Sequence, residues 1–166
     1  MEKKDKRTFK LEKVVLSIGG TGEKLDKGHK LLQYLTKGNP TKTKSRKRIP
    51  SLGVKPGLEI GSVITIRKNP EEFLKKLLVA IDNTLRKKQI SKNNFSFGIE
   101  EYIEIPGVEY QRELGMLGFD VTVTFKRPGR RVKLRKIKRG RIPQRQIITP
   151  EEIIKYMEEN FQTKFI

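Results

Sequence analysis

The segment from 126 to 145, KRPGRRVKLRKIKRGRIPQR, constrains this chain most: eleven of its 20 residues are lysine or arginine and none is acidic. The chain has a formal net charge of +19, so this segment supplies 11 of those charges and the other 146 residues supply 8. Such crowding costs several kcal/mol of self-repulsion unless a polyanion neutralises it. Glycines and prolines interrupt helical structure here, which predicts a segment that is irregular when free and ordered on a phosphate backbone. A solvated tail is the alternative, but solubility needs fewer charges.

The composition is that of a small, charge-rich globular protein. A length of 166 residues suits one domain, 1–166, and 34% hydrophobic residues allow a modest core. The absence of cysteine excludes disulfides and thiolate chemistry. No apolar run is long enough to span a membrane. The N-terminus, MEKKDKRTFK, is basic but no apolar segment follows it, so we predict no secretory signal.

Alternating apolar residues predict four strands. They cover 11–18, 61–67, 94–105 and 119–125. In the first two strands one face is apolar, whereas the other carries a hydroxyl and a cation, with Ser17 and Thr65 on it. The third would place Glu100 and Glu104 together on a polar face, which we interpret as solvated and turned away from RNA.

Three amphipathic helices are predicted. One covers 24–37, and a second begins at Asn69-Pro70-Glu71-Glu72, with Asn69 and Glu72 as reciprocal caps and an apolar stripe that continues to Leu85. The third, 149–161, begins with the complete capping sequence Thr149-Pro150-Glu151-Glu152. The basic extension, 126–148, is therefore a long loop anchored by a strand before it and a helix after it. Loops of this length are usually functional.

Two classes of function compete. A nucleotide-dependent enzyme could use the Gly-rich turn 19–22, or Glu100 and Glu104, but the spacing of a phosphate loop or dinucleotide site is missing. His29 is the only histidine, so a transition-metal site is not expected. A structural RNA-binding protein agrees better with the charge segregation, because 94–125 has six acids and one base while its flanks are basic. No helix-turn-helix or zinc pattern indicates DNA.

Four segments carry a specific resemblance. They are LEKVVLSIG, NPTKTKSRKRIPSLGVKPGLEIGSVITIR, NFSFGIEEYIEIPGVEY and GMLGFDVTVTFKRPGRRVK. In this order they resemble the large-subunit ribosomal protein five family, which binds 5S ribosomal RNA. The resemblance covers about residues 8–160. The basic extension and the helix after it resemble the archaeal and eukaryotic branch, and PGVEY favours the archaeal one.

The resemblance implies an α+β fold: an antiparallel-rich sheet with helices packed on one face, plus a long basic extension near the C-terminus. The free face of the sheet is expected to meet 5S RNA. The residues expected to serve this contact are Lys13, Ser17, Asn39, Lys42, Lys44, Thr65 and Arg67. Ser17 stands where the family normally has Asn, and Lys37-Gly38-Asn39-Pro40 lacks the family's Gln, whereas Thr65 keeps the family's Thr.

Further partners are implied in the same way. The loop 51–57 is expected to reach the elbow of peptidyl-site transfer RNA, through Ser51, Leu52, Gly53, Val54, Lys55, Pro56 and Gly57. The extension is expected to bind the large ribosomal RNA, through Arg127, Arg130, Arg131, Lys133, Arg135, Lys136, Lys138, Arg139, Arg141 and Arg145. A small-subunit protein is a further expected partner across the subunit boundary. We expect no enzymatic activity, cofactor, metal or membrane, and a location in the cytoplasmic ribosome.

Overall fold

The computed structural model describes residues 9–166; residues 1–8, most of the basic N-terminus in which no secretory signal is predicted, lie outside this range. Eight strands and four α-helices follow in the described part. The strands are β1 (Lys10–Gly19), β2 (Thr41–Lys44), β3 (Glu59–Ile66), β4 (Thr84–Leu85), β5 (Ile90–Ser91), β6 (Asn94–Ile99), β7 (Phe119–Lys126) and β8 (Lys164–Phe165). The helices are α1 (Glu23–Thr36), α2 (Pro70–Val79), α3 (Arg131–Leu134) and α4 (Pro150–Phe161).

Six strands form one antiparallel sheet in the order β2-β3-β1-β7-β6-β5, and β4 pairs in parallel with β8. This confirms the α+β class. Helices α1 and α2 pack against β1, α1 also packs against β3, and α4 packs near β5. The core lies between these helices and one face of the sheet, because strand residues such as Leu16 and Phe125 join Leu32, Leu77 and Ile153 in one buried cluster.

The alternation in the central strands produces this arrangement. Val14, Leu16 and Ile18 of β1 are buried, as predicted, and so are Phe119 and Val121 of β7. Successive side chains of a strand point to opposite faces, so the apolar set of each strand faces the helices and the polar set faces away.

The third predicted strand was wrong beyond its midpoint. The strand β6 ends at Ile99 and a 3₁₀ turn covers Tyr102–Glu104, so Glu100 and Glu104 do not share a strand face. Tyr102 is fully buried, and its hydroxyl accepts a hydrogen bond from the backbone nitrogen of Gln111 at 2.9 Å. This contact with a later loop turns the chain out of the strand.

Two details of the predicted helices also differ. Asn69 makes no side-chain cap: its backbone is left-handed, at φ 45°, which removes the reciprocal cap with Glu72. The helix α2 ends at Val79, and Leu85 belongs to β4 instead of the helical stripe. The cap of α4 is confirmed, because Thr149 Oγ1 accepts from the nitrogen of Glu152 while the Glu152 carboxylate accepts from the nitrogen of Thr149.

Candidate nucleic-acid interface

The face of the sheet opposite the helices is polar and accessible. Strand register places Thr65, Val15, Thr122 and Ser96 side by side across four strands, in one row. A second row holds Thr41, Val63, Ser17, Asp120 and Gly98, and a third holds Lys13, Thr124 and Asn94. All of these positions are half-buried or exposed. We call this surface the open face.

Hydroxyl groups dominate the open face. Ser96 Oγ and Thr122 Oγ1 lie 3.1 Å apart and share a hydrogen bond. Hydroxyls can both donate and accept, which suits contact with the phosphates, sugars and base edges of RNA. Asp120 and Lys13 are the charged members of the three rows, so the face itself is nearly neutral. A nearly neutral hydroxyl face does not repel a phosphate backbone.

The structure brings Lys13, Ser17 and Thr65, three of the predicted RNA-contacting residues, together on the open face. The sequence analysis missed Asn94, Ser96, Thr122 and Thr124 on that face. The period-two pattern of FDVTVTF holds the signal, since its buried residues leave Thr122 and Thr124 on the opposite face.

Lys42 lies on the other side of the sheet. Its strand partner is the buried Ser62, and its Nζ lies 2.7 Å from Asp26 Oδ1 in α1 and 3.1 Å from Glu59 Oε2. The hydrogen bond from Lys42 lowers the pKa of Asp26, and the hydrogen bonds to Asp26 and Glu59 raise the pKa of Lys42. The charge of Lys42 is thus already balanced by protein carboxylates.

The remaining predicted 5S-contacting residues lie around the sheet. Asn39 is exposed in the connection between α1 and β2, Lys44 is exposed at the end of edge strand β2, and Arg67 is exposed directly after β3. They belong to three separate segments at the border of the sheet.

The loop 51–57 is a compact turn between β2 and β3. A 3₁₀ turn covers Pro50–Leu52, Gly53 has φ 63°, and Ile49 and Val54 exchange backbone hydrogen bonds. Val54 is buried, whereas Leu52 is 72% exposed. Ser51, Lys55, Pro56 and Gly57 are also exposed. Leu52 therefore forms an apolar tip that the protein leaves uncovered.

The basic extension contains more structure than predicted. Its residues 131–134 form the single helical turn α3, and the nitrogen of Gly140 donates to the carbonyl of Val132 at 3.1 Å. The prediction that glycine and proline exclude helix from the whole segment was wrong, because Arg131–Leu134 lies between these residues.

Carboxylates tie the start of the extension to the body of the protein. The Nη1 of Arg130 donates to Glu12 Oε2 at 2.9 Å, and Lys126 Nζ lies 3.4 Å from Glu12 Oε1. The Nη2 of Arg127 lies 2.6 Å from both oxygens of Glu152. Burial alone would raise the pKa of Glu152, but the hydrogen bonds from Arg127 and Thr149 outweigh it and hold that pKa below its ordinary value.

The other cations of the extension are exposed. They are Arg131, Lys133, Arg135, Lys136, Lys138, Arg139, Arg141 and Arg145. Within residues 9–166, none of them forms an ion pair with a carboxylate. This half of the predicted rRNA-contacting set therefore presents unbalanced positive charge to a partner.

The Gly-rich turn has a structural explanation. The nitrogen of Gly20 donates to the carbonyl of Ile60 at 3.0 Å, and Gly22 precedes α1 with φ 59°, where a side chain would be strained. His29 shares a hydrogen bond with Ser62 through Nδ1. Residues 9–166 contain no cluster of three potential metal ligands and no helix long and apolar enough to cross a membrane.

Comparison with known proteins agrees with the fold and the charge distribution. Residues 59–155 match the family model that describes the C-terminus of the ribosomal uL5 proteins. The chain is 43% identical over 164 residues to the large ribosomal subunit protein uL5 of Nanoarchaeum equitans, covering 96% of this chain and 97% of that protein. It is 42% identical over 164 residues to uL5 of Sulfolobus acidocaldarius (96% and 92%) and 37% identical over 148 residues to uL5 of Methanosphaera stadtmanae (88% of each).

A half-covered antiparallel sheet with a strongly basic extension defines a protein of the RNA-binding, structural class. The chain belongs to the uL5 family of large ribosomal subunit proteins and is of the archaeal type. Members of this family are structural components of the cytoplasmic ribosome without enzymatic activity, which confirms the non-enzymatic interpretation.

Proposed function

We propose that this structural ribosomal protein binds 5S ribosomal RNA with its open face. The observation that supports this is the uncovered row of Thr65, Val15, Thr122 and Ser96, at the centre of a sheet whose other face is buried. A hydroxyl-rich surface with cations at its border attracts RNA and reads its shape through sugar and phosphate contacts. Lys44, Arg67 and Asn39 would then contact the backbone at the edges.

The basic extension would serve a second RNA. Its exposed cations lie outside the sheet, so they can contact the large ribosomal RNA while the open face holds 5S RNA. In this role the protein joins the two RNAs. The acids between Glu100 and Asp120 keep RNA from a third region, since like charge repels phosphate. We include the whole chain, 1–166, in one domain.

Two further contacts complete the proposal. The exposed tip at Leu52 and Lys55 would touch peptidyl-site transfer RNA, as the family resemblance implies, while Val54 would hold the turn in shape. A small-subunit protein would meet this protein across the subunit boundary.

A gel shift separates specific 5S binding from general basic character. The full chain is titrated into archaeal 5S RNA and into an unrelated structured RNA of equal length, both at about 0.15 M salt. We expect at least tenfold tighter binding to 5S RNA, because specific RNA complexes exceed non-specific ones by this order or more. Equal affinity for the two RNAs would contradict the proposal.

A further inference from the structure

The folded extension encloses a concave cavity of about 600 Å³. The cavity lies between the end of β7 and the segment 139–147, with Asn93 at its border. Six of its lining residues are cations: Lys126, Arg127, Arg130, Lys133, Arg139 and Arg141. Its size is within the range of small-ligand sites in proteins.

Half of these cations are balanced and half are not. Glu12 and Glu152 pair with Lys126, Arg130 and Arg127, as described above. Lys133, Arg139 and Arg141 have no carboxylate partner within residues 9–166. The Nε of Arg139 donates to the carbonyl of Lys133 at 2.7 Å, which orients its guanidinium. The wall therefore offers preset positive charge for an anion such as a phosphate.

The rest of the lining is chemically different. Asn93 Oδ1 accepts from the nitrogen of Ile148 at 3.0 Å, which holds the amide in place and leaves its Nδ2 as a donor. The amide of Gln146 and the half-buried side chains of Ile142 and Ile147 also line the cavity. A bare phosphate needs only the cations. Amides that can read a base edge, next to aliphatic surface that can cover a base, suit a whole nucleotide.

We propose that this cavity accommodates one unstacked nucleotide of RNA, with its phosphate against Arg139 and Arg141 and its base between Ile142, Ile147 and the two amides. This inference rests on the proposed binding of RNA by the extension and deepens it. The edges of paired bases lie inside a helix, whereas a bulged base can leave the stack and enter a pocket. The extension would then recognise a bulge or loop, beyond tracking a backbone.

The test uses three RNA hairpins of one sequence: fully paired, with a single-nucleotide bulge, and with an abasic residue at that bulge. Binding of the full chain is measured by fluorescence anisotropy for bulges of each of the four bases. We expect at least one bulged hairpin to bind about tenfold tighter than the paired one, the size of one base contact. The abasic hairpin should lose that gain.

Two variants separate the base site from the phosphate site. Gln146→Ala combined with Ile142→Ala should remove the preference for the bulge and leave affinity for the paired hairpin unchanged. Arg139→Gln combined with Arg141→Gln should weaken binding to all three hairpins and make the salt dependence shallower. Thermal unfolding of each variant checks that the fold is intact.

The outcomes distinguish the inference from its foundation. If wild type binds paired, bulged and abasic hairpins equally and the arginine variant binds all of them less tightly, the cavity takes no base but the extension still binds RNA. If the arginine variant and wild type bind every hairpin alike, the RNA-binding role of this part of the extension fails as well.

Discussion

Arg130 and Glu12 are 118 residues apart in the sequence and meet at 2.9 Å between Nη1 and Oε2. The same carboxylate lies 3.4 Å from Lys126, and the Glu12 side chain is only 17% exposed. One half-buried acid of β1 thus holds two cations of the basic extension. This contact fixes where the extension leaves the sheet, and it makes Glu12 the natural site for a first test.

Replacing Glu12 with Gln should loosen the extension. Two ion pairs are lost at a partly buried position, so we expect the free energy of unfolding to fall by about 1 kcal/mol. Trypsin should also cleave within 126–145 faster than in wild type. Urea denaturation and timed proteolysis measure the two effects. Glu109→Gln, which removes an exposed acid outside any ion pair in residues 9–166, is the matched control; identical behaviour of the two variants would refute an anchoring role.

Glu152 should make stability depend on pH in the acid range. Its pKa is lowered from 4.5 in the folded protein, so the folded state favours the ionised carboxylate. This contribution is present above about pH 4.5 and is lost as the pH falls through the lowered value. In Glu152→Gln the amide keeps the capping geometry but cannot titrate. Thermal unfolding from pH 7 to 3 should fall less steeply for this variant than for wild type; parallel curves would contradict the expectation.

The open face can be tested one side chain at a time. We expect Thr65→Ala and Arg67→Ala each to weaken 5S RNA binding by roughly fivefold, the effect of losing about one hydrogen bond of 1 kcal/mol. The circular dichroism spectrum and the unfolding midpoint should remain as in wild type. The control is Thr84→Ala, which removes a hydroxyl outside the six-stranded sheet. If both variants keep full affinity, or if they unfold, the assignment of this face is wrong.

The salt dependence of binding should report the exposed cations of the extension. Arg131, Arg135, Lys136 and Lys138 form no ion pair within residues 9–166, so replacing all four with Gln leaves the anchor at Arg130 intact. With about 0.7 to 0.9 units of slope per neutralised phosphate, binding to the large ribosomal RNA should become shallower in salt by up to about three units.

Assembly distinguishes which RNA these four cations serve. The fourfold variant should incorporate poorly into large subunits while its affinity for 5S RNA stays near that of wild type. Normal incorporation with reduced 5S affinity would assign the segment to 5S RNA instead. No change in either measurement would leave the extension a solvated loop.

The tip of the loop 51–57 offers a mild test of the transfer RNA contact. Leu52→Ser removes an apolar side chain that is 72% exposed and spares the buried Val54, so the turn should keep its shape. We expect unchanged 5S binding and a faster loss of transfer RNA from the peptidyl site of reconstituted ribosomes. Val54→Ser is the comparison: it should lower stability as well. Loss of 5S binding by Leu52→Ser would move the loop to the 5S interface.

The sequence predicted the faces of the central strands because burial there follows a strict alternation. Ser17 and Thr65 could be placed opposite the core from this pattern alone. The end of β6 could not be predicted in the same way. The apolar alternation continues to Ile105, but the buried hydroxyl of Tyr102 accepts from Gln111, and this tertiary contact overrides the local pattern.

The charges of the extension show a similar limit. Their number indicates a polyanionic partner, but their sequence does not show which cations the protein itself balances. Arg127 and Lys42 look like neighbouring residues that remain exposed, yet each meets a carboxylate from a distant segment, Glu152 and Asp26 respectively. Pairing of this kind depends on the complete fold.

The pairs that Glu12 and Glu152 form also bear on the heat of RNA binding. A segment that folds on its partner buries much new surface and shows a large negative heat-capacity change. The extension instead holds a helical turn and two anchored ends before any partner arrives. Its encounter with RNA should therefore resemble the docking of two rigid bodies, with a small heat-capacity change and an association rate set by electrostatic attraction.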